Sequence, residues 1–577
     1  MPTTSNADLF PHPCVDWYRA RDLLKPDDPR IRALFSPLFS APPWEPKQSN
    51  PPCVARAPRA VAELKMYVLS ARWRERPKWW LKMKDPVIRR KWFEEAKAEQ
   101  EVEEPRWRIT DNMINYALAG LGEYAKLRNG STGIECGPYD RMWQSDKLIP
   151  DGLRVALRAA VKPLEAVQTH RRKFNAQILD LIDPNLYPLV YGQTYGKQPD
   201  GSLGTFSPPS REKYDVLSEF VSQRSQWLPS DFRVEEDGRV SLASPYVNGV
   251  PPAHHDALVP ILERVVAHAV PMWERVLHDL RKEVPVRLGP VMKDEGGAEG
   301  FECIWKDGPH SSPKKSTRAA QEDVFSGRRM RLPDCRLGYD GQLTSCSAAR
   351  YSLKGRTLQL IIKLANIVLM PENPVHPGED WHFDGLWNEG IVLTFMYYFD
   401  LENVQEARVS FREGTTEPMY HSKDDHMCME TLYGIEDGEP CVQQVGSIAI
   451  KSGRCVAYPN IYQHKMSPLK LKDPAQPGNC KILTLFLVDP NRRIPSATEV
   501  PPQQADAVRE VLLNAERDNF FSKLPPELID AIVANVDGLL SWEEAVRTRE
   551  EMMEERAARV ESAAGRDLFT HARNFFR

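Results

Sequence analysis

The feature that most limits what this chain can fold into is a change of texture near residue 356. From there, apolar and β-branched runs of strand length recur between turn residues: TLQLIIKLANIVLM (357–370), IVLTFMYYFDL (391–401), ARVSFRE (407–413), VGSIAI (445–450), RCVAYPN (454–460) and KILTLFLVDP (481–490). Segments of this length and composition read as strands. Six of them in about 130 residues predict a sandwich or barrel.

The sequence ahead of residue 356 carries a different period. Leu153, Ala156, Leu157, Ala160, Val161 and Leu164 repeat at three-and-four spacing, as do Leu258, Ile261, Leu262, Val265 and Val266. Helices are therefore expected over 148–170 and 257–281, with a further helical stretch over 60–128. Residues 285–349 lose any period in favour of Gly, Ser and charge. After Pro501-Pro502 helical texture returns, with Ser541 and Glu544 placed as a capping box for a last charged helix. The expected architecture is α+β: a mainly helical region at 1–284, a loop-rich connector at 285–349, a double-stranded β-helix (jelly-roll) domain at 350–500, and a helical tail at 501–577.

Composition narrows the partners. With 76 Lys and Arg against 80 Asp and Glu, the net charge is -4, so no global field draws the chain to nucleic acid or an anionic membrane. The segment RWRERPKWWLKMKDPVIRRKWF (72–93) mixes basic residues with Trp73, Trp79, Trp80 and Trp92, a mixture able to pair phosphates and stack bases. The simpler reading, an amphipathic surface whose tryptophans pack inward, is preferred. The ten cysteines form no CxxC pair, the start MPTTSNADLFPHP has no basic-then-apolar leader, and no run of eighteen apolar residues occurs. An intracellular, reduced protein outside the membrane is expected, acting on a small molecule rather than a nucleic acid.

The chemistry concentrates in WHFDG. His382 and Asp384 are two apart, so on an extended backbone both side chains leave the same face. A mononuclear Fe(II) that must also bind a co-substrate and O2 needs two His and one carboxylate on one face of its octahedron. With thirteen histidines, about one HxD is expected by chance. The second match, His254-His255-Asp256, precedes a helical period, where Asp256 reads as a cap or first-turn acid. His382 and Asp384 instead enter a run of strands, and His464, just after the strand at 454–460, is the candidate third ligand. His376, His421 and His426 stand in reserve.

A 2-oxoglutarate co-substrate would need a cation for its far carboxylate. Lys481 opens the last strand and is the candidate, with Arg408, Arg412 and Lys470 as competitors. Thr394 and Tyr398 share one face of the strand 391–399 and are candidates to complete that pocket, whereas Tyr397 points the other way.

Several blocks in order carry a resemblance: TGIECGPYDRMWQSDKLIP, ILDLIDPNLYPLVYGQT, QWLPSDF, LQLIIKLANIVLMPENP, WHFDGLWNEGIVLTFMYYFDLENV and KILTLFLVDPNRRIPSATEVPPQQ. They resemble a mostly fungal family known as domain of unknown function 4246, itself similar to Fe(II)- and 2-oxoglutarate-dependent oxygenases. The resemblance implies an oxidoreductase on a double-stranded β-helix. The family pattern often has Glu at the place of Asp384, and a basic residue at the place of Cys480, which leaves Lys481 to act from a neighbouring, oppositely facing position. Two other readings keep the same residues: a metal-binding barrel enzyme without 2-oxoglutarate, and a non-catalytic scaffold.

Overall fold

The structure, a computed structural model, describes residues 10, 12–14, 58–171, 177–198, 200–209, 218–281, 339, 351–415, 426–513, 520–562, 569–570 and 572. The connector expected at 285–349 lies outside these residues except for Tyr339.

The described front half opens with helices α1 (Val61–Arg74), α2 (Trp79–Lys82), α3 (Pro86–Glu99) and α4 (Asp111–Leu127). Trp73, Trp79 and Trp92 are buried, and Trp73 stacks on Trp92 with ring centroids 6.1 Å apart. Neighbouring basic residues pair with acids, as in Arg72–Glu99 and Arg76–Glu95. The basic aromatic segment is thus a packing surface: indole burial holds the helices together while the charged ends stay in water.

Short strands β1 (Glu135–Cys136) and β2 (Trp143–Ser145) precede helix α5 (Asp151–Arg171). Then come β3 (Ile178–Ile182), β4 (Leu189–Val190), β5 (Tyr195–Lys197), β6 (Leu203–Thr205), β7 (Ser225–Gln226), β8 (Ser230–Val234), β9 (Val240–Leu242) and helix α6 (Pro252–Arg281). To a front half rich in helix the structure therefore adds strands too short to impose a readable alternation on the sequence. Helix α6 begins at Pro252, so Asp256 lies inside the helix and exposed, rather than at its cap.

The strand-rich half contains β10 (Thr357–Leu369), β11 (Val375–His376), β12 (Ile391–Glu402), β13 (Arg408–Gly414), helix α7 (His426–Tyr433), β14 (Val442–Ala449), β15 (Cys455–Pro459), β16 (Gln463–Met466), β17 (Leu469–Lys470) and β18 (Gly478–Val488). Nine strands form one antiparallel sheet in the order β1-β2-β15-β12-β18-β10-β8-β9, with β3 also paired to β10. A second sheet has the order β14-β13-β16, and β11 pairs with β17. The fold is mixed helix and antiparallel sheet.

Both faces of the large sheet are covered, which explains why β10, β12 and β18 read as nearly unbroken apolar runs. On the outer face Trp273 of α6 meets Phe395 of β12, ring centroids 6.0 Å apart. On the inner face Tyr458 of β15 meets Phe411 of β13 at 4.9 Å, so the two sheets face one another there.

Helices α8 (Ala505–Leu513), α9 (Pro526–Ala534) and α10 (Trp542–Ser562) follow. The capping box forms as its residues require: the Ser541 backbone N–H and hydroxyl donate to Glu544, and the Glu544 N–H donates to Ser541 Oγ. Helix α10 then crosses to the strand-rich half, where Met552 is buried against Ile361 and Phe486 on the inner face of the large sheet. Among the described residues no helix is long and apolar enough to cross a membrane.

Candidate metal centre

His382 and His464 meet across a two-residue antiparallel bridge: the N–H of each donates to the carbonyl of the other, at 3.1 and 2.8 Å. That pairing, and not chain proximity, brings residues 82 positions apart together, with imidazole centroids 4.3 Å apart. Asp384 completes the group, and one ligand atom from each of His382, Asp384 and His464 lies within 4.8 Å of the others. His464 Nε2 is 4.0 Å from Asp384 Oδ2.

Each ligand is oriented by a second group. His382 Nδ1 lies 2.8 Å from the Asp380 carbonyl; an N–H there leaves the Nε2 lone pair for a metal. Thr394 of β12 donates its hydroxyl to Asp384 Oδ2 at 2.7 Å. The backbone of Asp384 is clasped by the buried Asn460 amide, which accepts from the Asp384 N–H and donates to its carbonyl. Gly385 then turns the chain at φ 69°, and a Cβ there would sit 2.8 Å from Ile391 Cδ1.

The electrostatics suit a cation. Burial pushes the Asp384 carboxyl above its usual range, opposed by His382, the Thr394 hydroxyl and Lys363. Burial and the neighbouring His382 push His464 well below the ordinary imidazole value, so it is a neutral ring with a lone pair to offer. Its Nδ1 is buried without a hydrogen-bond partner. The neutral His464 ring, the His382 ring turned by its Nδ1 contact with the Asp380 carbonyl, and one carboxylate, with a buried nitrogen unsatisfied, form a donor set that fits a divalent iron-like ion.

Of the other expected site residues, Thr394 and Tyr398 are both buried on the inner face. Tyr398 directs its hydroxyl to Met396 Sδ at 3.4 Å, a weak acceptor that leaves the phenol available to a ligand. Lys481 does not join the group. In the ladders it pairs with Asn366 and Asp400, on the outer face, where its ammonium lies 2.7 Å from Glu165 of α5 and 3.9 Å from Asp400. The expectation that Lys481 holds a co-substrate is corrected by this geometry: a side chain cannot pass through the sheet it belongs to.

The competitors fare no better. Arg408 pairs with Glu75, Arg412 bonds Gln463 and lies over Trp381, and Lys470 is exposed on β17. His376 accepts from the Gly378 N–H and is not in the ligand group. The side chains of His421 and His426 lie outside the described residues.

Lys363 is a cation on the inner face, level with Met396. It stands opposite Thr484 of β18, which stands opposite Met396 of β12, so all three share the face of Thr394 and Tyr398. Lys363 is close enough to bias both Asp384 and His464. Its signal was present in the sequence: the one charged residue inside the largely apolar LQLIIKLANIVLM, where a charge is unusual unless it is paired. Asn460 was also missed, hidden as an ordinary turn residue in YPN.

The C-terminal segment packs against the ligand-bearing turn. Phe569 stacks on Phe383, the residue between two ligands, with centroids 6.1 Å apart and planes 27° apart. Arg556 of α10 reaches the fully buried Glu389, which also accepts from the N–H groups of Trp227 and Leu386.

Fold and site together define a helix-and-sheet protein with a candidate His-Asp-His metal centre. The chain belongs to the family described as "Protein of unknown function (DUF4246)", whose model matches residues 111–511. No curated protein matches it. Solved structures similar to it include the Fe(II)/α-ketoglutarate-dependent dioxygenase TqaL, at 10% identity and TM-score 0.22, covering 61% of this chain and 93% of that one. A bsmA homolog from Methylobium petroleophilum shares 9% identity at TM-score 0.22, covering 59% of this chain and 86% of that one. IDO from Bacillus thuringiensis shares 10% identity at TM-score 0.16, covering 23% of this chain and only 47%, about half, of that one.

Proposed function

We propose that the protein is a mononuclear non-haem Fe(II) oxygenase that uses 2-oxoglutarate and O2, with its two facing sheets forming a double-stranded β-helix. The observation that carries this reading is the convergence of His382, Asp384 and His464 within 4.8 Å, with one buried imidazole nitrogen of His464 unsatisfied. When bound, iron and 2-oxoglutarate supply oxidative decarboxylation of the keto acid coupled to oxidation of a substrate C–H bond.

The protein's own part is positional. Thr394 and Asn460 hold the carboxylate and its backbone, and the Asp380 carbonyl sets the His382 ring. The inner-face residues Met396, Tyr398 and Tyr458 give an apolar wall with two phenols, suited to a small organic substrate. Phe569 packs on Phe383 and Met552 of α10 packs on the inner face of the large sheet, so the C-terminal segment braces the strands that carry the site.

The test is anaerobic titration of the Fe(II)-loaded protein with 2-oxoglutarate, following the weak visible band of an iron-bound keto acid, then succinate release in air. Wild type should give both and His382→Ala neither. Iron binding without any keto-acid band would favour instead a metal enzyme independent of 2-oxoglutarate; no metal binding at all would favour a scaffold.

A further inference from the structure

We propose that Lys363, with Thr484 beside it, binds the carboxylate of the co-substrate that lies farthest from the metal. The inference rests on the oxygenase reading and adds to it the residue and strand that select a diacid. A keto acid chelated at the metal directs its other end along the inner face of the large sheet, where an anion can remain only if a cation meets it.

Among the described residues three other cations of the sheet and its covering helix are engaged with carboxylates. Arg549 of α10 holds Asp183 at 2.6 Å and Asp180 at 3.3 Å. Arg556 pairs with Glu389, and Lys481 lies on the far face with Glu165. Lys363 points inward opposite Thr484 with no carboxylate of the described residues within ion-pair distance, whereas Arg233, on the same face, stands at β8 opposite Thr357, three inward-facing positions away along β10; Asp180, which Lys363 senses electrostatically, is already held by Arg549. The register puts the Thr484 hydroxyl directly opposite Lys363 and the Tyr398 phenol one inward-facing pair further along β12 and β18. Cys480, on the same face of β18, offers no charge: burial pushes its thiol up to about 12. A charge-bearing methylene stem with hydroxyl groups beside it is a built receptor for one carboxylate.

The discriminating experiment compares 2-oxoglutarate with 2-oxopentanoate, which carries a methyl in place of the distal carboxylate, binding each anaerobically to the Fe(II)-loaded full chain. Wild type should prefer the diacid by about 10- to 100-fold. Lys363→Met and Lys363→Gln should bind the two ligands equally, Lys363→Arg should keep most of the preference, and Lys481→Met should keep all of it. A preference that survives in Lys363→Gln, or that disappears in Lys481→Met, overturns the proposal, as does a wild type that binds both ligands equally. If wild type binds iron but neither keto acid, the oxygenase reading itself falls and the role of Lys363 with it. Two neutral substitutions guard against one that fails to fold, and the ligand ratio does not move for a purely structural defect.

Discussion

Asn460 and Asp384 are locked together through the main chain of the acid: the Asn460 amide oxygen accepts the Asp384 N–H at 2.9 Å and its nitrogen donates to the Asp384 carbonyl at 2.8 Å. The same nitrogen reaches the Ile391 carbonyl at 3.2 Å, so one fully buried side chain joins the ligand-bearing turn to the start of β12 and to the strand before His464.

Asn460→Ala should therefore lose stability and metal affinity together. Leaving these buried groups unpaired costs roughly 2–4 kcal/mol, and a misplaced carboxylate should weaken Fe(II) binding about 10- to 100-fold. Urea denaturation and equilibrium dialysis with Fe(II) measure the two; unchanged metal affinity in a folded variant would argue against the clasp.

Thr394→Val separates orientation from folding. It removes the hydroxyl bonded to Asp384 Oδ2 while keeping the shape of the side chain. We expect about tenfold weaker metal binding, with a stability change of only about 1 kcal/mol. His382→Ala, at a half-exposed ring, should abolish stoichiometric metal binding at little cost to the fold.

Arg556→Met tests the C-terminal cover. Glu389 would keep its two backbone donors but lose its counter-ion in a fully buried position. A buried pair broken on one side costs about 3 kcal/mol. Denaturation midpoints should show the loss, and protease should cut the C-terminal helix sooner; a midpoint equal to wild type would mean the contact contributes nothing.

The pH dependence has a defined sign at a pair of buried groups outside the ligand set. Burial lowers His12 to about 3, so the folded state resists its protonation. Its stabilisation is complete above the unfolded value of 6.5 and is lost as pH falls towards 3, by up to about 1.4 kcal/mol per pH unit. Asp489 acts oppositely: burial raises it to about 6, so its contribution is present below 3.8 and lost as pH rises through 6. His12→Gln should flatten the loss of stability between pH 6.5 and 5, and Asp489→Asn should steepen it, as read by urea unfolding at each pH.

Much of this protein was legible from the order of its residues. Apolar and β-branched runs of strand length between turn residues identified the strands, three-and-four spacing identified α5 and α6, and Ser541 with Glu544 identified the start of α10, because each depends on neighbours within a few positions. The pair His382 and Asp384 was legible for the same reason, since two-residue spacing on extended chain puts both on one side.

What tertiary structure decided is whatever depends on which side is in. Alternation shows that Cys480 and Lys481 face opposite ways, but the helix carrying Glu165 makes the Lys481 side the outer one. The register of β10 with β18 turns Lys363, more than a hundred residues before Lys481, toward the metal ligands. Likewise His464 meets His382 only through a backbone bridge between distant segments, and Phe569 reaches Phe383 only because α10 returns across the sheet. The sequence alone determined the strands and the local ligand pair; their partners and the inward cation followed from long-range packing, which has no local period to read.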